Sequence, residues 1–498
     1  MKWNRKQRLV ANSVIALILQ LVNLLSGFLV PRLILARYGS DVNGLVNSIT
    51  QFLGAISLLD LGVGTVVEST LYKPLAEKNH KLFSEIVVSA TKFFRRLAFI
   101  LIIYTIVLMG IYPSLVNDSF DYIYTATLIG ALSISSFAQY YFGIVNGIIL
   151  SADQRGFINS FAQIITIVFN TIISCILIKL NYSIQIVKLV TSIIFLIRPL
   201  LLNLYVKKNY IVDPYVQYKE EPIKQKWDGV AQHLAYYVLT GTDNIVLTIF
   251  SSLENVSIYS VYNLVINGVK SLLLALTQGF KSVMGDMLAR GEVEALNTFF
   301  GWTEWMLHTV TILIFGCTGV LIVPFIQVYT KGISDANYNQ QLFAILITLA
   351  NAAHCIRLPY NNLILASGHY KQTRYNYIIS IFLNIVISVI TVEAWGLIGV
   401  SIGTFVSMLY QTIWMAWYVA HNIINRSPKL FCKQCIVDVI TVIIAGLMTY
   451  RIPLKSVEYF SWILQASIVF TIWLFVILAI NILIYRKNIM FTLQKFKQ

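Results

Sequence analysis

The chain has 498 residues, 57% of them hydrophobic and 12% charged, with a formal net charge of +15. That balance lies outside the range of soluble globular domains and places the chain among polytopic membrane proteins. The basic excess is therefore read as a topology signal and as attraction to anionic lipid at one membrane face, which excludes nucleic acid as the expected partner.

Apolar stretches long enough to cross a bilayer, at about 20 residues each, run over 9–31, 42–72, 93–113, 122–150, 157–179, 184–206, 229–252, 256–287, 298–326, 340–366, 374–392, 395–420, 434–451 and 460–485, fourteen in all. The first follows basic residues as a signal peptide would, but it is too long for that role and has Pro31 and Arg32 where small residues should mark a cleavage site, so it is expected to stay as a span. Between the third and fourth spans the charges are Asp118 and Asp121, whereas the tail (Lys2, Arg5, Lys6, Arg8) and the linker (Lys207, Lys208, Lys219, Lys224, Lys226) are basic. The positive-inside rule then puts both termini on the cytoplasmic side of the inner membrane.

The second span carries Asp60 and Glu68 on one face, with Gly62 and Gly64 between them as a place to bend. The fifth carries Asn159, Gln163, Thr166 and Asn170 on a stripe. The seventh carries His233, Tyr237, Thr240 and Asn244, with Asp243 at the stripe's edge. Amides, hydroxyls and tyrosines of this kind suit an extended, neutral, hydrogen-bonding ligand such as a sugar chain, and they equally knit helices together in lipid.

The eighth span is the most informative. At 100° per residue Asn263, Asn267, Lys270, Thr277 and Lys281 share a narrow stripe, and Leu272, Leu273, Leu276 and Val283 lie off it. A charge at mid-bilayer costs at least about 2.5–3.5 kcal/mol, so two lysines on one stripe should line a cavity or meet a counter-charge. Snorkelling to the headgroups is the alternative for Lys281.

In the ninth span Glu304 and His308 are one turn apart and are expected to pair locally. In the tenth, His354 and Arg357 flank a break expected at Pro359, which makes Arg357 a third cationic candidate for a cavity. The pair Cys432-Lys-Gln-Cys435 stands alone and is weak evidence for metal or redox work. No nucleophile elbow, phosphate loop or metal-ligand spacing is present, and no connecting segment is long enough for a catalytic domain, so a non-enzyme with no cofactor is expected.

Shifting the chain by 213 residues brings Gly44–Asn47 onto Ser257–Ser260 and Leu75–Asn79 onto Leu288–Glu292. A shift of 214–215 brings Ile149–Ala152 onto Ile364–Ser367 and Asn170–Ser174 onto Asn384–Ser388. A duplicated six-helix unit follows, both copies having the same orientation. The expected fold is all-α: a lobe at 1–206, a linker at 207–228, a second lobe at 229–422, and two additional helices within 423–498. The same shift puts Glu68 opposite Lys281, a potential ion pair of repeat-related positions.

The opening Val30-Pro31-Arg32-Leu33-Ile34-Leu35-Ala36-Arg37-Tyr38-Gly39, followed by Asn43-Gly44-Leu45, Leu59-Asp60-Leu61-Gly62-Val63-Gly64 and Asn146-Gly147-Ile148-Ile149-Leu150-Ser151-Ala152, with its echo Asn362–Gly368, resembles the polysaccharide flippases of the multidrug/oligosaccharidyl-lipid/polysaccharide exporter superfamily, of the O-antigen or capsule repeat-unit type. The resemblance implies two six-helix bundles plus two helices, turning a polyprenyl-diphosphate-linked oligosaccharide from the inner to the outer leaflet, with membrane lipid and glycan-assembly proteins as partners. It gives Lys270, Lys281 and Arg357 the diphosphate, and sets Arg32 and Arg37 at the outer end of the first span to receive it. Coupling to a proton or sodium gradient through Asp60, Glu68 or Asp243 stays open. A cation-coupled multidrug exporter and a lipid II flippase of the same superfamily are the alternatives, with a membrane glycan polymerase behind them.

Overall fold

The computed structural model describes residues 5–59, 63–116, 119–218, 220–223, 241–277 and 279–486. All regular structure among them is helical, as expected, and the chain divides into two compact units, Met1–Ile249 and Phe250–Gln498. Twelve helical stretches among the described residues are long and apolar enough to cross a membrane. Of the fourteen expected spans, 42–72 lacks one because its helix is interrupted, and only 241–252 of the span 229–252 falls within the described residues.

The first unit opens with α1 (Arg5–Tyr38) and α2 (Ser40–Gly54), joined at Gly39, whose φ of 86° lies where a β-carbon is disfavoured. A 3-10 turn (Ala55–Leu59) ends α2, and α3 (Val63–Glu77) starts beyond it, so the break falls beside the glycines that the sequence marks for bending. Next come α4 (His80–Leu115), α5 (Tyr122–Ala138), a π-helical turn (Gln139–Gly143), α6 (Ile144–Ala152), α7 (Gly156–Lys179), α8 (Ile184–Ile194), α9 (Ile197–Asn209) and α10, residues 241–250. Side-chain oxygens of Asn79, Asp121 and Ser183 cap the first turns of α4, α5 and α8. The core gathers Val67, Leu71, Ile86, Phe94, Ile149 and Leu202.

Polar contacts fix which chain ends meet. Arg8 reaches the Asp153 carboxylate at 3.3 Å and Tyr210 donates to the same carboxylate at 2.6 Å, so the start of α1, the turn between α6 and α7, and the linker share one end. At the other end Tyr38 donates to the Tyr182 carbonyl at 2.6 Å. This alternation of ends is the one the expected spans require.

The second unit contains α11 (Leu253–Thr277), α12 (Phe280–Ala289), α13 (Val293–Tyr329), α14 (Gln341–Ile356), α15 (Leu358–Ala366), α16 (Tyr370–Trp395), α17 (Leu397–Asn422), α18 (Lys429–Thr449) and α19 (Tyr459–Ile484). Helices α16 and α17 approach through small residues. A β-carbon on Gly399 or Gly403 would fall 2.4 Å from the Thr391 carbonyl oxygen or 2.2 Å from Ser388 Oγ, and Asn384 donates to Thr404 at 3.1 Å. Outward-facing apolar side chains such as Leu17, Leu25, Ile103, Ile106, Leu447 and Phe475 are exposed, as lipid contact requires.

The two C-terminal helices dock on α13. Trp473 of α19 covers Gly316 so closely that a β-carbon there would lie 1.9 Å from the indole, and the Trp462 indole donates to the Leu321 carbonyl at 3.2 Å. The expected Glu304–His308 pair does not form. Glu304 meets Arg426 at 2.6 Å and accepts from Tyr360 at 2.5 Å, and His308 meets Asp438 at 2.5 Å. Both side chains turn to groups on other segments, and these contacts replace one between residues a turn apart on the same helix.

Candidate anion site in the second unit

Pro359 shapes the site. Its ring cannot follow a continuous helix, lacking an N–H and crowding the carbonyl four residues back, so α14 ends at Ile356 and α15 begins at Leu358. Arg357 stands at this junction, as the sequence anticipates, and is 7% exposed. Its Nη2 lies 2.8 Å from His354 Nδ1, its Nη1 4.0 Å from the Met408 sulfur, and its buried Nε has no hydrogen-bond partner.

Lys270, on α11, donates to Asn351 Oδ1 of α14 at 3.3 Å, and Asn351 is held by its own bond to the Ile347 carbonyl at 2.9 Å. Lys270 lies near enough to Arg357 and His354 to act on both electrostatically. The two cations thus share one region of the unit, with an amide and an imidazole as their polar neighbours. Among the described residues neither forms an ion pair. A buried Arg357 and a half-buried Lys270 held only by neutral groups are costly within a membrane span unless an anion visits them.

Other anticipated residues are placed less uniformly. Lys270 lies on α11 and Lys281, which is exposed, on α12; position 278 between these helices lies outside the described residues. Asn263 is half-buried and Asn267 exposed. In the first unit Asn159 accepts from Arg198 Nε at 3.1 Å, and Gln163 is half-buried on the same helix. Glu68 accepts from Tyr72 at 3.2 Å one turn away. Asp243 is buried and Asn244 half-buried on α10. Arg32 is half-buried and Arg37 exposed near the end of α1. Asp60, His233 and Tyr237 lie outside the described residues.

Sequence reasoning passed over Arg198, a half-buried cation in the first turn of α9, and the pairs Glu304–Arg426 and His308–Asp438. Isolated charges of opposite sign in separate apolar runs were the available signal.

No protein-family model and no curated sequence matches the chain. Solved structures do match its fold. The lipid II flippase MurJ in an inward closed conformation superposes with a TM-score of 0.74 at 15% identity, over 96% of this chain and 100% of that one. An inward-facing multidrug resistance MATE family transporter gives 0.64 at 15% identity, over 83% and 98%. A MOP superfamily transporter from Pyrococcus furiosus, described as having reversed binding-pocket polarity, gives 0.59 at 15%, over 86% and 98%.

Proposed function

We propose that the protein is a flippase that moves a polyprenyl-diphosphate-linked oligosaccharide repeat unit from the inner to the outer leaflet of the cytoplasmic membrane, for surface polysaccharide assembly. The observation that carries this reading is the pair of half-buried Lys270 and buried Arg357, held by Asn351 and His354 with no carboxylate partner among the described residues. Such a pair suits a diphosphate, since each cation is left with donors to spend on phosphate oxygens. A transporter selecting cationic drugs would place an acid there instead.

The reaction breaks no covalent bond. The diphosphate engages Lys270 and Arg357, the glycan meets the amide and hydroxyl groups of the helices, and the polyprenyl chain stays in lipid. Moving negative charge outward across an inside-negative membrane is downhill by about 2.3 kcal/mol per charge per 100 mV, so the potential can set the direction. Binding energy need only differ between the inward- and outward-open states for the substrate to shift their populations.

Lipid II is the second reading, favoured by the likeness to MurJ over nearly the whole of both chains. The test is transport of lipid-linked glycans into vesicles with the sugar varied. Transport of an oligosaccharide repeat unit but not of lipid II supports the first reading; the reverse result replaces it with the second.

A further inference from the structure

A second polar cluster lies in the same unit on α13, and the anion site makes no use of it. His308 of α13, Gln434 and Asp438 of α18, Asn481 of α19 and Tyr485 just beyond it line a cavity of about 20 Å³, enough for one water-sized occupant. His308 is 2% exposed, Gln434 6% and Asn481 8%.

The electron-pair donors around this cavity are under-used. Gln434 Oε1, Tyr485 Oη and His308 Nε2 are all buried without a hydrogen-bond partner. The Asp438 carboxylate is met by His308 Nδ1 at 2.5 Å, which orients it, and Asn481 Oδ1 is fixed by the Trp305 indole at 2.6 Å. A single water donates to only two of these lone pairs at a time. A cation serves all of them.

Charge selects the kind of cation. Glu304 and Arg426, one turn along α13, neutralise each other, and Lys433 is exposed with its ammonium over the Tyr485 ring at 5.5 Å. Asp438 therefore supplies one negative charge to the cavity, which a monovalent ion balances and a divalent ion would exceed inside the membrane. Oxygen donors from a carboxylate, amides and a phenol match a hard ion.

We propose that this cavity is a sodium site that pins the two C-terminal helices to α13. The ion would join α13, α18 and α19 at a point where their own side chains leave lone pairs facing one another. The site is separate from Lys270 and Arg357, and its occupancy does not depend on which lipid is carried.

The experiment uses the full-length protein purified in detergent. Binding of radioactive sodium and the Tm are measured in sodium, potassium and choline chloride at one ionic strength. The expected result is saturable binding near one ion per chain with a Tm that rises in sodium. Asp438→Asn and, separately, Gln434→Leu should weaken binding at least about tenfold, while Lys270→Ala leaves it intact. Equal Tm in all three salts, or sodium binding unchanged in both cavity variants, would overturn the proposal. Gln434→Leu decides the matter should Asp438→Asn fail to fold.

Discussion

Lys270 and Arg357 differ in how they are held, and their variants should differ accordingly. Lys270 makes one bond, to Asn351, so Lys270→Ala should insert and fold normally but lose export. Lys270→Arg should retain part of it, because the charge persists while its geometry changes. Truncating a desolvated cation that meets a phosphate costs about 2–5 kcal/mol, more than tenfold in affinity. The measurement is surface polysaccharide in a strain lacking its own flippase, normalised to membrane protein level, with Leu272→Ala as the mild control. Full complementation by Lys270→Ala would remove that lysine from the mechanism. At this scale the sequence located Lys270 and Arg357 because charge inside an apolar run is rare and visible. It could not pair Lys270 with Asn351, since that contact depends on how α11 lies against α14. Nor could it see that Glu304 and His308 ignore each other, because the competing partners lie 122 and 130 residues away.

Among the elements, α13 carries both C-terminal helices, and Gly316 is where that docking is tightest. Gly316→Ala would drive a methyl into Trp473, and overpacking of this kind destabilises by about 1–3 kcal/mol. The expected outcome is a lower Tm and faster proteolysis of residues beyond Lys429, with the helices before it protected. The linker end of the first unit offers a milder test. Tyr210 is pushed above the ordinary phenol range by burial and then by its bond to Asp153. A raised value favours the protonated hydroxyl in the folded protein, so its contribution is complete below the unfolded value of about 10 and fades as pH climbs through the folded one. Tyr210→Phe should therefore weaken linker docking by about 1 kcal/mol, equally at pH 6 and pH 8. Limited proteolysis at the linker reads this directly; a difference that vanishes at either pH would contradict it. Helix existence was legible because the apolar runs are long. Helix continuity was legible where chemistry marks it, as Pro359 marks the end of α14, and not where periodicity alone had to carry it, as in 42–72, where a 3-10 turn ends α2.

For the whole molecule, the shared end of Arg8, Asp153 and Tyr210 fixes the alternation of the first unit's helices, and the charge asymmetry of the loops predicts that this end faces the cytoplasm. Cysteines placed at Asn117 and Lys331 should react with an impermeant thiol reagent added outside intact cells, and cysteines at Gln217 and Ser427 should not. External labelling at Gln217 would invert the orientation. The internal repeat was readable as an offset, but the boundary of the two compact units at Ile249 cannot be read from hydropathy because α10 is apolar like its neighbours. Arg357, finally, sits at a joint. A guanidinium mounted where two rigid rods meet swings whenever the angle between the rods changes, so ligand charge and helix bend become one mechanical variable. Whatever anion the arginine grips acts as a lever on α15, and any flexing of α15 tightens or loosens that grip.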